Sequence, residues 1–293
     1  MRVWAFIMAI YKRAWRLQLQ VGDSVKTYQE LDYQDSSLKI DFEVVNNVYG
    51  AFSNASITIS GLNQDDLQYL ASSTNPYGKF KRNRVSLEAG YVDEVGLIIS
   101  GNIIETDVDF TSPDKAVTLK IMGGVQNNLL NNSVQSSLAG VVDFRRICDE
   151  CAAKNNLKLR YDNKISKRNL TDFSFLGTPY QFIERIREYF EDLNIFINET
   201  DNTLNVLLKQ GGEIINEQTL SNLTGLVGRP KPTMLGVNVR SLLNINLRVG
   251  EFIKLQNEEL KAFDGVYRIN ELKHRGGNLS PEWSTDLSLY KRV

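Results

Sequence analysis

Residues Gly228 to Gln256 read GRPKPTMLGVNVRSLLNINLRVGEFIKLQ. The stretch is a Gly/Pro turn, an apolar alternating run from Gly236, and a short second run, EFIKLQ, beyond Gly250. Alternation with period two marks half-buried strands. The stretch contains no catalytic constellation. Two further alternating runs follow, GVYRINELKH from Gly265 and STDLSLYKRV from Ser284, so the last part of the chain is expected to be β.

Working backward, the pattern changes. TPYQFIERIREYFEDL predicts a helix with Thr178 as N-cap, Pro179 at the first helical position and Gln181 completing a capping box. Phe182, Ile183, Ile186, Phe190 and Leu193 form its apolar stripe. A second helix is expected over AGVVDFRRICDECAAKNN, with Val141, Phe144, Cys148 and Cys151 at helical spacing. NIFINETDNTLNVLL reads as a hairpin turning near Asp201 and Asn202.

The first part is again β. RLQLQVGD places Leu17, Leu19 and Val21 on one face. LKIDFEV alternates Leu38, Ile40, Phe42 and Val44 with Lys39, Asp41 and Glu43, a strand with one wet face. ASITISGL repeats this with Ile57 and Ile59, and Asn63 is a candidate N-cap for a short helix after it. RVSLEAGYVDEVGLIISGNII predicts a hairpin turning at Asp93 to Gly96, and AVTLKIMGG another strand. The fold class is therefore α+β, mostly β. Its expected divisions are a β region over 1–124, a helix-containing middle over 125–204 and a second β region over 205–293.

The 293 residues carry 34 basic and 35 acidic side chains, a net charge of −1. Proteins that live by gripping phosphate backbones carry a clear basic excess. The total thus argues against nucleic acid as the main ligand. At 42% hydrophobic and 24% charged, the chain can bury a sizeable core without disulfides or metals. The apolar piece from Val3 to Ile10 is too short to span a bilayer and lacks a signal-peptide cleavage site, leaving Met1 or Met8 as the start and no stable membrane insertion expected. Asn-x-Ser/Thr triplets begin at Asn54, Asn169, Asn198 and Asn222, and without an export signal they read as turns.

The candidates for chemistry are few. Zinc needs about four ligands. CDEC offers Cys148 and Cys151, with the single histidine, His274, far along the chain. Both cysteines fall mid-helix on the apolar face, which reads as two small buried hydrophobes. His274 has no evident nucleophile or carboxylate partner, which favours a structural or interface role over acid–base work. Asp107 and Asp109 share a strand face and read as solvated. The Glu-x8-Asp-x5-Thr spacing of phage-type lysozymes is met by Glu105 and Asp114 but fails at Lys120. KFKRNR, Lys79 to Arg84, packs four cations around Phe80, and the neutral total favours a solvated loop or an interface rim over nucleic-acid binding. No phosphate loop and no nucleophile elbow are present. No catalytic, metal or cofactor site is expected.

The ordered motifs at both ends resemble the ring-forming baseplate hub proteins of contractile phage tails. The resemblance rests on Gly228 and Pro230, Gly236 and Val237, then Leu243, Asn244, Leu247 and Gly250. It continues through Gly265, Tyr267 and Ile269, His274 and Gly276, and Trp283 and Thr285. NASITISGLNQDDLQYLAS followed by the AGY hairpin is similar to the family's first part. Ile245 stands where the family often has Pro, and Gly277 where it often has Asp.

The resemblance implies a homotrimer in which each subunit contributes two tail-tube-like β-barrel modules flanking the middle domain. One side would meet the tail tube protein and the other the central spike protein, with other baseplate proteins around it and phage DNA passing transiently through the lumen. It implies a place in the virion tail baseplate after synthesis in the host bacterial cytoplasm. Gly236, Asn244, Leu247, Gly250, His274 and Trp283 are then candidates for a subunit-interface or module-core turn. Two other classes remain open at this point: a tail-associated cell-wall hydrolase, and a monomeric carbohydrate- or nucleic-acid-binding β-barrel module.

Overall fold

The computed structural model describes residues 12–21, 23–31, 38–49, 53–71, 83–109, 115–123, 133–198, 200–214 and 217–291. The Val3 to Ile10 run with Met1 and Met8, most of KFKRNR (residues 79–82) and Asp114 lie outside them.

The first β region comprises β1 (Arg13–Val21), β2 (Ser24–Glu30), β3 (Lys39–Asn47), β4 (Asn54–Ser60), β5 (Arg84–Tyr91), β6 (Glu94–Asp109) and β7 (Ala116–Gly123). Helix α1 (Gln64–Ala71) sits between β4 and β5, and Asn63 Oδ1 caps it by accepting from Asp66 N at 2.8 Å. The middle runs β8 (Val134–Asp143), α2 (Phe144–Lys154), β9 (Lys158–Tyr161), β10 (Asn169–Gly177), α3 (Pro179–Tyr189), β11 (Leu193–Asn198) and β12 (Thr203–Leu208). The last region has β13 (Glu217–Leu220), β14 (Leu226–Pro232), β15 (Gly236–Leu242), β16 (Phe252–Leu255), β17 (Gly265–Gly277) and β18 (Trp283–Lys291). The chain is mostly β with a helix-bearing middle.

Alternation does what the periodicity requires. β3 buries Ile40, Phe42 and Val44, and β7 buries Val117, Leu119 and Ile121. Each such side chain contributes about 1.5–3 kcal/mol on full burial. The Thr178–Gln181 capping box is formed as expected. Asn202 adopts a positive φ of 55° in the β11–β12 hairpin.

Three expectations are corrected. Val141 is not on α2: Asp143 caps that helix, β8 continues up to the cap, and Val141 is 72% exposed. Phe190 is the C-cap of α3, and Leu193 already belongs to β11. The β5–β6 turn is the tighter pair Val92 and Asp93, because Gly96 is already in the ladder opposite Ala89.

Among the described residues thirteen strands form one sheet in the order β14-β15-β18-β17-β3-β4-β7-β6-β5-β1-β2, with β16 on β17 and β13 parallel to β16. The two ends of the chain meet where β17 pairs antiparallel with β3, from Glu271 opposite Asn47 to Gly277 opposite Asp41. Two small sheets, β10-β8 and β11-β12-β9, belong to the middle. Among the described residues there are three apolar clusters. The first, around Trp15, Ile57 and Leu87, takes in Leu243 and Trp283 from the far end. The second holds Phe144, Cys148, Phe182 and Ile195. The third, around Leu255, Ile269 and Leu289, takes in Val48, Phe196 and Leu207.

Candidate functional site

The turn between β15 and β16 is built on Asn244. Its Oδ1 accepts from Asn246 N at 2.9 Å, and its own N–H donates to Thr285 Oγ1 at 3.1 Å. Thr285 is fully buried, and its hydroxyl lies 2.9 Å from Nδ1 of buried His274. The Thr285 hydroxyl thus bridges the Asn244 backbone amide and the imidazole. Burial, followed by the nearby charge of Arg248, lowers the His274 pKa to about 3, so the ring is neutral.

The same turn reaches the first β region. Ile245 lies over Gly96, and the Asn246 amide donates to the Glu94 carboxylate. Leu243 N donates to the Trp283 carbonyl at 3.2 Å. Trp283 in turn donates from Nε1 to the Gly90 carbonyl at 3.0 Å and stands edge-on to Phe42, with centroids 5.4 Å apart. At the other end of the turn, Gly250 has φ +83°, and a Cβ there would stand 2.8 Å from both Leu207 and Phe196 of the middle region. Leu247 is buried in the third apolar cluster.

Five of the six candidate residues thus surround one junction where all three regions touch. Gly236 stands apart, opening β15 opposite Tyr290, where a Cβ would lie 2.0 Å from the Leu289 carbonyl oxygen. Gly277, the departure from the family pattern, is packed on Asp41 and Ser280.

Arginines fasten the middle region. Arg187 of α3 donates to the carbonyls of Ile195 at 2.6 Å and Tyr49 at 2.9 Å. Buried Arg268 of β17 donates to the carbonyls of Leu208 and Gly211, with its guanidinium 4.6 Å over Phe252. Sequence reading missed both arginines, because an arginine in a helix or a strand carries no local sign of the distant carbonyl it will bond, and it met Thr285 only as part of the family motif.

The wet face of the sheet carries a cross-strand row. Arg275 stands opposite Glu43, Glu43 opposite Ser56, Ser56 opposite Lys120, and Lys120 beside Glu105. Arg275 bonds Glu43 at 2.9 Å and Asp286 at 3.1 Å, Asp286 bonds Arg240 at 2.7 Å, and Lys120 bonds Glu105 at 2.9 Å.

The arrangement holds elements together and offers no group poised to move a proton. Cys148 and Cys151 are buried, and burial pushes both thiols up, Cys151 to about 12. Asp107 and Asp109 are exposed on one strand face, and Glu105 is tied to Lys120. Among the described residues no three His, Cys, Asp or Glu side chains are placed to hold a metal, and no helix is long and apolar enough to cross a membrane.

Solved structures of tail and secretion proteins share this fold. A 43 kDa tail protein of prophage MuSo2 from Shewanella oneidensis matches with a TM-score of 0.60 and 8% identity, over 94% of this chain and 98% of that one. A tail protein from Neisseria meningitidis matches with a TM-score of 0.56 and 11% identity, over 94% and 96%. An Escherichia coli component of the type VI secretion system, described as similar to T4 phage tail proteins gp27 and gp5, matches with a TM-score of 0.55 and 9% identity, over 87% and 73%. No curated protein matches in sequence. The fold is one that these tail and secretion-system proteins share. The chain belongs to the baseplate hub gp41 family, whose model matches residues 16–276. That membership makes it a non-enzymatic component of the virion tail baseplate, made in the cytoplasm of the bacterial host.

Proposed function

We propose that the chain is the subunit of a trimeric hub ring joining the tail tube to a central spike. Three copies close head to tail. Each supplies two tail-tube-like β-barrel modules, residues 1–124 and 205–293, around a middle domain of residues 125–204. Six similar modules then face the six-fold tube, three subunits face the three-fold spike, and other baseplate proteins pack outside. Phage DNA passes through the lumen during ejection.

The observation that carries this reading is the direct β17–β3 pairing. It sets the two β-rich regions side by side in one sheet, as a ring of paired modules requires. Its polar face is continuous from β15 to β6, and Arg240, Arg275 and Lys120 each sit against a carboxylate. Cations already neutralised in this way hold a passing polyanion weakly. The turn carrying Asn244, Leu247 and Gly250, with His274 and Trp283, keeps the angle between modules fixed within each subunit, and Gly236 seats the outer hairpin.

Light scattering of the purified chain across a concentration range tests the ring. The expected mass is three times 33.3 kDa, with a central channel visible by electron microscopy. A mass of one chain at every concentration would overturn the self-closing ring.

A further inference from the structure

β14 and the far end of β6 are opposite in charge and lie toward opposite sides of the same sheet. In the strand order β14 is terminal, with β15 as its neighbour. β5 lies beside β6 from Glu94 to Asn102, Ile103 N continues that side by donating to the Asn83 carbonyl at 3.0 Å, and β7 runs beside β6 from Gly101 to Asp109. β14, LVGRPKP, exposes Val227, Arg229 and Lys231 and contains no acid. The β6 end, IETDVD, exposes Ile104, Glu105, Asp107 and Asp109 and contains no cation. Both segments carry an exposed apolar residue among the charges, Val227 at 42% and Ile104 at 54%.

A groove of about 590 Å³ runs beside β14. Five cations line it, from Arg229 and Lys231 on β14 to Lys273 and Arg275 on β17, against the acids Glu271 and Asp286. Arg240, Arg275, Lys273 and Arg229 already sit against Asp286, Glu43 or Glu259 of their own chain, and Lys231 is exposed on β14.

We propose that β14 of one copy of the chain packs against residues 104–109 of β6 in a second copy. The contact rests on the ring reading above and names the two surfaces that close it. It is heterologous, basic segment to acidic segment, so it repeats around a ring without either surface meeting itself. Asp107 and Asp109 of one copy face Arg229 and Lys231 of the next. Ion pairs that these surfaces already make, Arg229–Glu259 at 2.5 Å and Lys120–Glu105 at 2.9 Å, are exposed and screened by solvent, so they exchange readily. Pro230 and Pro232 lack N–H donors, so β14 cannot be extended by a full backbone ladder with an arbitrary strand. Side-chain charge, not backbone pairing, therefore selects the partner, as cross-interface complementarity does elsewhere.

The test uses the full chain in three variants: Arg229→Glu with Lys231→Glu, Asp107→Lys with Asp109→Lys, and the four changes combined. Thermal melting first confirms that each is folded. Each double variant is expected to raise the concentration at which the trimer dissociates by about tenfold or more, because like charges then face each other. The combined variant, with both signs swapped, is expected to return to within about threefold of the unaltered protein. If the unaltered chain is a trimer and neither double variant shifts its dissociation, the contact is overturned and the ring stands. If the unaltered chain is monomeric throughout, ring and contact fall together. If a DNA duplex binds the unaltered chain, is lost in the Arg229/Lys231 variant, and mass is unaffected, the basic edge serves a polyanion and the contact is overturned.

Discussion

Arg275 Nε donates to Glu43 Oε2 at 2.9 Å across the β17–β3 boundary, joining residues 232 positions apart. The pair sits where the first and last β regions become one sheet. Burial alone would raise the Glu43 carboxyl, but hydrogen bonds from Arg275 and Lys273 outweigh it and hold the pKa below the ordinary 4.5. The folded pKa therefore lies under the unfolded one. The stabilisation is present above about pH 4.5 and is lost as pH falls through the folded value. Glu43 is 45% exposed in its side chain, so the gain is under about 1 kcal/mol. Glu43→Gln is expected to lower the denaturation midpoint at pH 7 and to leave it less sensitive to acid below pH 4.5. An unchanged acid limb would remove the pair from the account of stability.

His274 gives a second, separable pH dependence. Its pKa is about 3 when folded against 6.5 for a free imidazole. Between these values the unfolded chain binds a proton that the folded chain refuses. Stability is then full above pH 6.5 and declines toward pH 3 by about 1.4 kcal/mol per unit. His274→Asn, measured by urea denaturation from pH 7 to pH 4.5, is expected to flatten this slope. A parallel slope in the variant would mean that the ring is protonated in the fold.

Gly250→Ala tests the seat of the middle region. The added methyl meets Leu207 and Phe196 at 2.8 Å on a backbone with φ +83°. The expected loss is about 2–4 kcal/mol, from left-handed strain plus overpacking. Gly211→Ala is the control, with φ +72° and nothing within 4 Å of its added Cβ. It is expected to lose only the strain, about 1–2 kcal/mol. Equal losses in the two variants would rule out the packing at Gly250.

Trp283→Phe keeps an aromatic ring against Phe42 and deletes the donor to the Gly90 carbonyl. The carbonyl is left without this buried donor, at a cost of about 1–3 kcal/mol. Chemical denaturation of the variant measures it, and a loss within experimental error would show that the indole acts by packing alone.

The two thiols are expected to be inert. Burial raises both pKa values and keeps reagents away. A thiol-specific chromogenic reagent should label neither cysteine in the native protein at pH 8 and both in denaturant. Native labelling would place them outside the second apolar cluster.

The sequence by itself determined much about this protein. Period two in LKIDFEV and AVTLKIMGG named the buried faces of β3 and β7, the Thr178–Gln181 box placed the start of α3, and Cys148 and Cys151 fell on an apolar stripe because helical spacing puts them there. The ordered motifs from Gly228 to Thr285 carried the family. Alternation says which face of a strand is buried, but it is silent on which strand lies alongside. Only the tertiary structure paired β17 with β3, brought Thr285 between His274 and Asn244, and turned Arg187 and Arg268 onto carbonyls of other elements. It also moved Val141 off its helix, because the β8–β10 pairing, with Val141 opposite Thr171, outweighed a local spacing that suits either state. Those choices depend on which distant surfaces meet and leave water together, and no local window of the chain contains that information.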